Sequence, residues 1–139
     1  TTPRRRHEPI HLPYKVPSLL QNAGVKFCIS TDFGYPLDGH VRTLPNEAMR
    51  AVTWGLSKND AMRSITLSAA EILEIDEQVG SLEPGKDATF FISDTEPMLL
   101  ETNPIKAYIK GREIDLSDRQ KMLWEKYKEK YKRMGKLLK

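Results

Sequence analysis

Two short patterns in this 139-residue chain carry the residue types of known chemistry, and a lone cysteine adds a third candidate. His7-Glu8-Pro9-Ile10-His11 has the spacing of the H-E-x-x-H zinc-protease pattern. That pattern needs both imidazoles on one helical face, with the glutamate beside the water. Pro9 has no amide hydrogen and bars a helix from running through His7, so the expectation is a polar loop. Gly80-Ser81-Leu82-Glu83-Pro84-Gly85-Lys86 has the G-x-x-x-x-G-K core of a phosphate-binding loop. Asp87 stands where a magnesium-binding hydroxyl belongs, Glu83 repels phosphate, and Pro84 removes a backbone donor from the cradle. Strand-forming residues follow instead of a helix, so this run reads as a turn. Cys28, the only cysteine, excludes an internal disulfide and a cysteine-based structural zinc site. It lies in the apolar run 25–30 and is expected to be a buried packing thiol.

The elements that position these residues follow from proline, glycine and periodicity. Residues 1–17 contain Pro3, Pro9, Pro13 and Pro17 and read as an extended or turning loop. A short helix over 18–22 is ended by Gly24. Residues 25–30 are rich in β-formers and apolar on both faces, the signature of a parallel strand covered by helices. A loop follows from Asp32 to Leu44, with Phe33, Tyr35 and His40 on it. An aspartate ending a strand is, taken by itself, most often a turn-former, and a histidine on such a loop most often a surface residue.

Pro45 then opens a helix with Glu47 near its positive end and Ala48, Val52 and Leu56 on one stripe. Ser57 or Asn59 caps a further helix whose core side is Met62, Ile65, Leu67, Ala69 and Leu73. Residues 88–93 and 105–109 read as strands, and Lys110-Gly111 as a hairpin turn leading to Ile114. Ser117-x-x-Gln120 is a capping box for a last helix. That helix is expected to dock Leu123, Tyr127, Tyr131, Met134 and Leu138 on the body, with its lysines in water.

Composition excludes several classes. With 39% apolar and 29% charged residues the chain is globular rather than disordered. No apolar run approaches the ~18 residues that cross a bilayer, so no membrane partner is expected. The net charge of +3 is uneven: residues 117–139 hold nine Lys/Arg against three acids, a local +6, leaving −3 for the rest. Tyr127 and Tyr131 lie on the apolar stripe of that basic helix, so no nucleic-acid partner is expected either. Thr1, in place of Met, suggests a chain that begins inside a longer product, and the address of that product, cytoplasmic or exported, is unread.

A longer constellation is more specific. Ala23-Gly24-Val25 leads into the apolar run, which ends at Ser30-Thr31-Asp32. Leu44-Pro45-Asn46-Glu47-Ala48 opens the next helix and Gly55-Leu56-Ser57 closes it. Thr66 and Ala69-Ala70 follow, and then Gly80-Ser81-Leu82-Glu83-Pro84-Gly85-Lys86-Asp87-Ala88. In this order the series resembles the last third of amidohydrolase-superfamily enzymes, especially the imidazolonepropionase-like branch, over residues 16–116. The family usually writes Ala-Asp where this chain has Ala88-Thr89, a position expected to matter for structure rather than catalysis.

The resemblance implies an α/β chain: the C-terminal fragment of a (β/α)8 TIM-type barrel, part of a small β-sandwich, and a C-terminal helix. The expected division is 1–75 for the last βα part of the barrel, 76–116 for the sandwich and 117–139 for the basic helix. In that family an aspartate ending the eighth barrel strand ligates the metal and exchanges protons with the bound hydroxide, and Asp32 matches it. Phe33, Tyr35 and His40 become candidates for touching substrate. The implied cofactor is one or two divalent ions, expected to be zinc, in the parent protein, with none held tightly by the fragment. The family's His-x-His pair has no counterpart here, and His7, His11 and His40 match none of its ligand positions. The implied activity is hydrolysis of a C–N bond in a cyclic amide, dipeptide or related small molecule by metal-activated water. The fragment alone is expected to be inert and to need the missing barrel half or self-association. The rival reading is a binding protein that keeps the fold without the chemistry.

Overall fold

The computed structural model describes residues 5–31 and 40–136, and within them a run of helices is followed by three strands and a last helix. Helix α1 runs over Leu12–Asn22, six residues earlier than the prolines suggested. Pro13 sits in the first turn, where its missing N–H costs nothing, and Pro17 is carried inside the helix. Gly24, at φ +69°, ends it as expected. Its amide donates to the Gln21 carbonyl and the Val25 amide to the Leu20 carbonyl, each at 3.0 Å, the paired bonds of a Schellman cap.

A 3-10 turn over His40–Thr43 leads directly into α2, Leu44–Thr53, with Pro45 in the first turn and Glu47 at the positive end. The single long helix expected next is two: α3, Lys58–Ser64, and α4, Leu67–Ile72. Ser57 caps α3, its hydroxyl accepting from the Asp60 amide at 3.1 Å. The break falls at the β-branched pair Ile65-Thr66. There the hydroxyls of Ser64 and Thr66 bond back to the carbonyls of Ala61 (2.7 Å) and Met62 (2.8 Å), competing with the helix ladder. The break moves the buried face: Ala61, Ser64, Ser68 and Ala70 are inside, and Leu73, expected in the core, is exposed.

Strands β1, Phe90–Ser93, β2, Pro104–Ile109, and β3, Arg112–Ile114, form one antiparallel sheet in sequential order. Ile109 pairs with Arg112 across a two-residue turn. Lys110 and Gly111 there have φ of 50° and 77°, the doubly positive turn that matches strand twist. Phe91, Ile105, Ile109 and Ile114 share one sheet face and are each more than a third exposed.

The core is small: Ala48, Ala51, Leu56, Ala61 and Met98, flanked by Phe27, Ile29, Met49, Val52, Met62 and Ile65. Met98 comes from the β1–β2 connection and is the largest side chain fully buried, so it ties the sheet region to the helices. The ion pair of Lys58 with Glu96 (2.7 Å) spans the same junction. Met98→Ala should cost about 2 kcal/mol through lost contacts and the cavity left behind. Urea unfolding of the 139-residue chain measures it, and an unchanged midpoint would show that this loop does not close the core.

Helix α5, Arg119–Arg133, is capped one residue later than the sequence pattern implied. Asp118 accepts from the Lys121 amide at 2.8 Å, while the Ser117 hydroxyl is engaged by Asp115 at 2.6 Å. The Lys121 amide is the main reason the Asp118 carboxyl sits below the usual carboxylate range. The expected docking of this helix is not found. It buries no residue and packs against no other helix or strand among the described residues. Tyr127, Tyr131 and Met134 are about half exposed.

Candidate functional site

The segment that leads to Asp32 is residues 25–31, which follow α1. It is in no β ladder, which corrects the expected doubly buried strand. Exposure alternates along it: Phe27 and Ile29 are partly buried against the helical core, while Lys26, Cys28 and Ser30 face outward. Period-two alternation is the pattern of a strand covered on one side only. Among the described residues no strand lies beside it to complete the ladder, and Cys28 is therefore exposed instead of buried. Beyond the cap bond of Val25, the segment is tied to the helices by the Ile29 amide, which donates to the Ser64 carbonyl at 3.2 Å.

The outward side of this segment borders a cleft of about 280 Å³ whose walls include Tyr14, Pro17, Cys28, Ser30, Glu47 and Arg50. Arg50 pairs with Glu47 one turn earlier on α2 and stands 5.8 Å from the centre of the Tyr14 ring. Tyr14 in turn stacks on Trp54 at 5.7 Å. The sequence reading did not single out Tyr14 or Arg50. The i, i+3 spacing of Glu47 and Arg50 was visible, but only the packing of α1 on α2 brings Tyr14 to them.

Of the proposed site residues, Asp32, Phe33 and Tyr35 lie outside the described residues. His40 opens the 3-10 turn that feeds α2. The H-E-x-x-H pattern spans the turn before α1, not a helix. His11 is the residue preceding that helix and stacks on Trp54 at 5.8 Å, and Glu8 accepts from the Arg5 amide at 2.9 Å. The glycine-lysine run is a turn: the Lys86 amide donates to the Glu83 carbonyl at 3.2 Å across Pro84 and Gly85, the latter at φ +97°. The Lys86 ammonium donates to Ser81 Oγ at 2.6 Å, closing the loop on itself instead of offering it to a phosphate. Gly80 is pressed on α4, where an added Cβ would lie 2.7 Å from Ala70 Cβ.

Among the described residues no three His, Cys, Asp or Glu side chains converge on a cation-sized site. The described residues by themselves do not make a metal centre.

The model of the amidohydrolase family matches residues 14–116, from α1 through β3 and just past it. The chain belongs to the amidohydrolase family. An imidazolonepropionase of Shewanella sp. (strain ANA-3) is 33% identical over 101 residues, covering 69% of this chain and 25% of that protein. An imidazolonepropionase of Shewanella baltica (strain OS185) is 32% identical over the same length and coverage. An amidohydrolase crystal structure from Thermotoga maritima MSB8 superposes with a TM-score of 0.67 at 25% identity, over 73% of this chain and 26% of that one. This amidohydrolase chain thus spans about a quarter of the length of the curated relatives it matches. Helix α5 lies beyond the matched residues.

Proposed function

We propose that this chain is the C-terminal part of a metal-dependent amidohydrolase that opens a C–N bond in a cyclic amide, the class to which an imidazolone ring belongs. The observation that carries the reading is the family match over residues 14–116, which contains Ser30-Thr31-Asp32 together with the helix opening at Leu44-Pro45-Asn46-Glu47-Ala48. In this reading residues 25–31 are the last strand of a (β/α)8 barrel, the sheet of β1–β3 is part of a β-sandwich, and Asp32 sits at the catalytic end of the strand. A divalent ion, zinc by preference, would supply charge that lowers the pKa of water, and Asp32 is the one ligand this chain contributes on motif grounds. The Asp32 carboxylate takes a proton from the attacking water at an Oδ atom and returns it to the leaving nitrogen. Phe33, Tyr35 and His40 border the substrate.

The reading also places the remaining ligands on other strands of the complete barrel. Phe91, Ile105 and Ile109 are about half exposed on one sheet face, and residues 25–31 are in no β ladder. These uncovered surfaces support a piece that needs cover, from the rest of the barrel or from self-association.

The 139-residue chain alone is accordingly expected to bind zinc weakly and to hydrolyse nothing, because a catalytic zinc site usually takes three protein ligands. Isothermal titration with zinc and a screen of cyclic amides test this. Tight stoichiometric binding abolished by Asp32→Ala, with turnover, would place a whole site in this chain and overturn the division of labour proposed.

A further inference from the structure

At about 100° per residue, α5 sorts its side chains into bands. Leu123, Met134, Tyr127, Tyr131 and Trp124 fall in one arc about 100° wide, with Gln120 the one polar side chain inside it. Arg119, Lys126, Lys130 and Arg133 border one edge of the arc, and Lys121, Lys128 and Lys132 the other. Glu125 and Glu129 lie on the far side. Seven cations against two acids give the helix +5. The aromatic arc is in water: Trp124 is 58% exposed, and Tyr127 and Tyr131 are 45% exposed. The Lys128 ammonium lies 4.1 Å from the centre of the Trp124 ring, so its stem already follows the rim of the arc.

We propose that α5 is a surface anchor that lies flat on an anionic lipid membrane, its aromatic arc at the headgroup boundary and its two cation bands on the phosphates. Charge complementarity selects the occupant. A second copy would set +5 against +5. A nucleic acid would favour one cation band facing the phosphates, whereas here an aromatic arc separates two. A closed apolar groove on an acidic protein would have to satisfy the polar tips of Trp124, Tyr127 and Tyr131, which the wet headgroup region accommodates freely. Long lysine and arginine stems at both margins of the arc reach the lipid phosphates while Glu125 and Glu129 stay in water. No helix among the described residues is long and apolar enough to cross a membrane, a property that bears on spanning and not on lying in the interface. The helix stands outside the family match, so this surface role is independent of the amidohydrolase reading.

The test is sedimentation of the 139-residue chain with phosphatidylcholine vesicles containing or lacking a quarter phosphatidylserine, at about 0.1 M salt where headgroup attraction persists over roughly 10 Å. Binding is expected on the anionic vesicles, with a blue shift of tryptophan emission that Trp124→Phe removes. The triple variant Lys121→Gln, Lys128→Gln, Lys132→Gln should bind about 150-fold more weakly, from about 1 kcal/mol per lysine. The double variant Tyr127→Gln, Tyr131→Gln should bind at least about 10-fold more weakly. Glutamine is a good helix former, phenylalanine matches tryptophan in helix propensity, and far-UV circular dichroism confirms that α5 persists. No enrichment on anionic vesicles overturns the proposal. So does wild-type binding by the tyrosine double variant, which marks attraction without insertion. Stripping of the wild type from vesicles by polyglutamate or duplex DNA at equal anionic charge also overturns it, and makes α5 a ligand for an acidic protein or a nucleic acid.

Discussion

Asp32→Asn in the full-length protein is expected to lower turnover by at least about 100-fold, the usual loss when an acid–base group is removed. Asparagine keeps the shape of the side chain but gives up its charge and its capacity to take a proton. The loss should appear in kcat with the metal loaded to saturation, which separates proton transfer from weakened metal binding. Phe27 and Ile29 pack on the core and the Ile29 amide bonds Ser64, so the variant is expected to fold. Near-normal turnover in a metal-saturated variant would remove Asp32 from the chemistry and with it the central residue of the proposed function.

Gly80→Val is expected to destabilise the chain by about 4 kcal/mol, from a side chain where none fits and a backbone angle valine avoids. The added Cβ would stand 2.7 Å from Ala70 Cβ and 3.1 Å from Leu67 Cα, and the second of these is backbone of α4 that cannot step aside cheaply. Gly80 also has φ +98°, strained for any β-branched residue. Gly85 is the control. Its φ is +97°, but nothing lies within 4 Å of an added Cβ, so Gly85→Val bears the conformational penalty without the clash. Urea midpoints of the two variants measure the difference. If they shift equally, the close packing of the 80–86 turn on α4 contributes nothing, and that turn is placed by its own geometry alone.

That comparison shows how one motif was partly readable. Gly85 after Pro84 announces a tight turn from residue chemistry alone, and the refusal of Glu83, Pro84 and Asp87 to serve phosphate was equally local. Gly80 is different, because its reason for being glycine is Ala70, on another element. The same division runs through the helices. Gly24, Ser57 and Pro45 mark ends because capping involves groups only a few residues apart. The start of α1 is not legible in the sequence because Pro13 and Pro17 read as breakers, although Pro13 at a helix start breaks nothing and Pro17 is carried inside the helix. The α3–α4 break was missed because apolar spacing continues smoothly through Ile65, while the backbone bonds of Ser64 and Thr66 do not.

The site divides in the same way. Residue types and their order are enough to show that Asp32 ends an apolar run in a family-specific series of motifs, that two tempting patterns are decoys, and that Lys110-Gly111 turns a hairpin. All of these rest on chemistry within a few residues or on the order of such units. Long-range packing settles that residues 25–31 are covered on one side, that Cys28 is exposed, and that Tyr14 meets Arg50 beside the cleft. It also settles that α5 stands away from the other helices and strands with its aromatic arc in water. A hydrophobic period states which side chains of an element belong together, but the partner that buries them is a long-range fact. For residues 25–31 and for α5, no neighbouring strand or helix among the described residues supplies that partner.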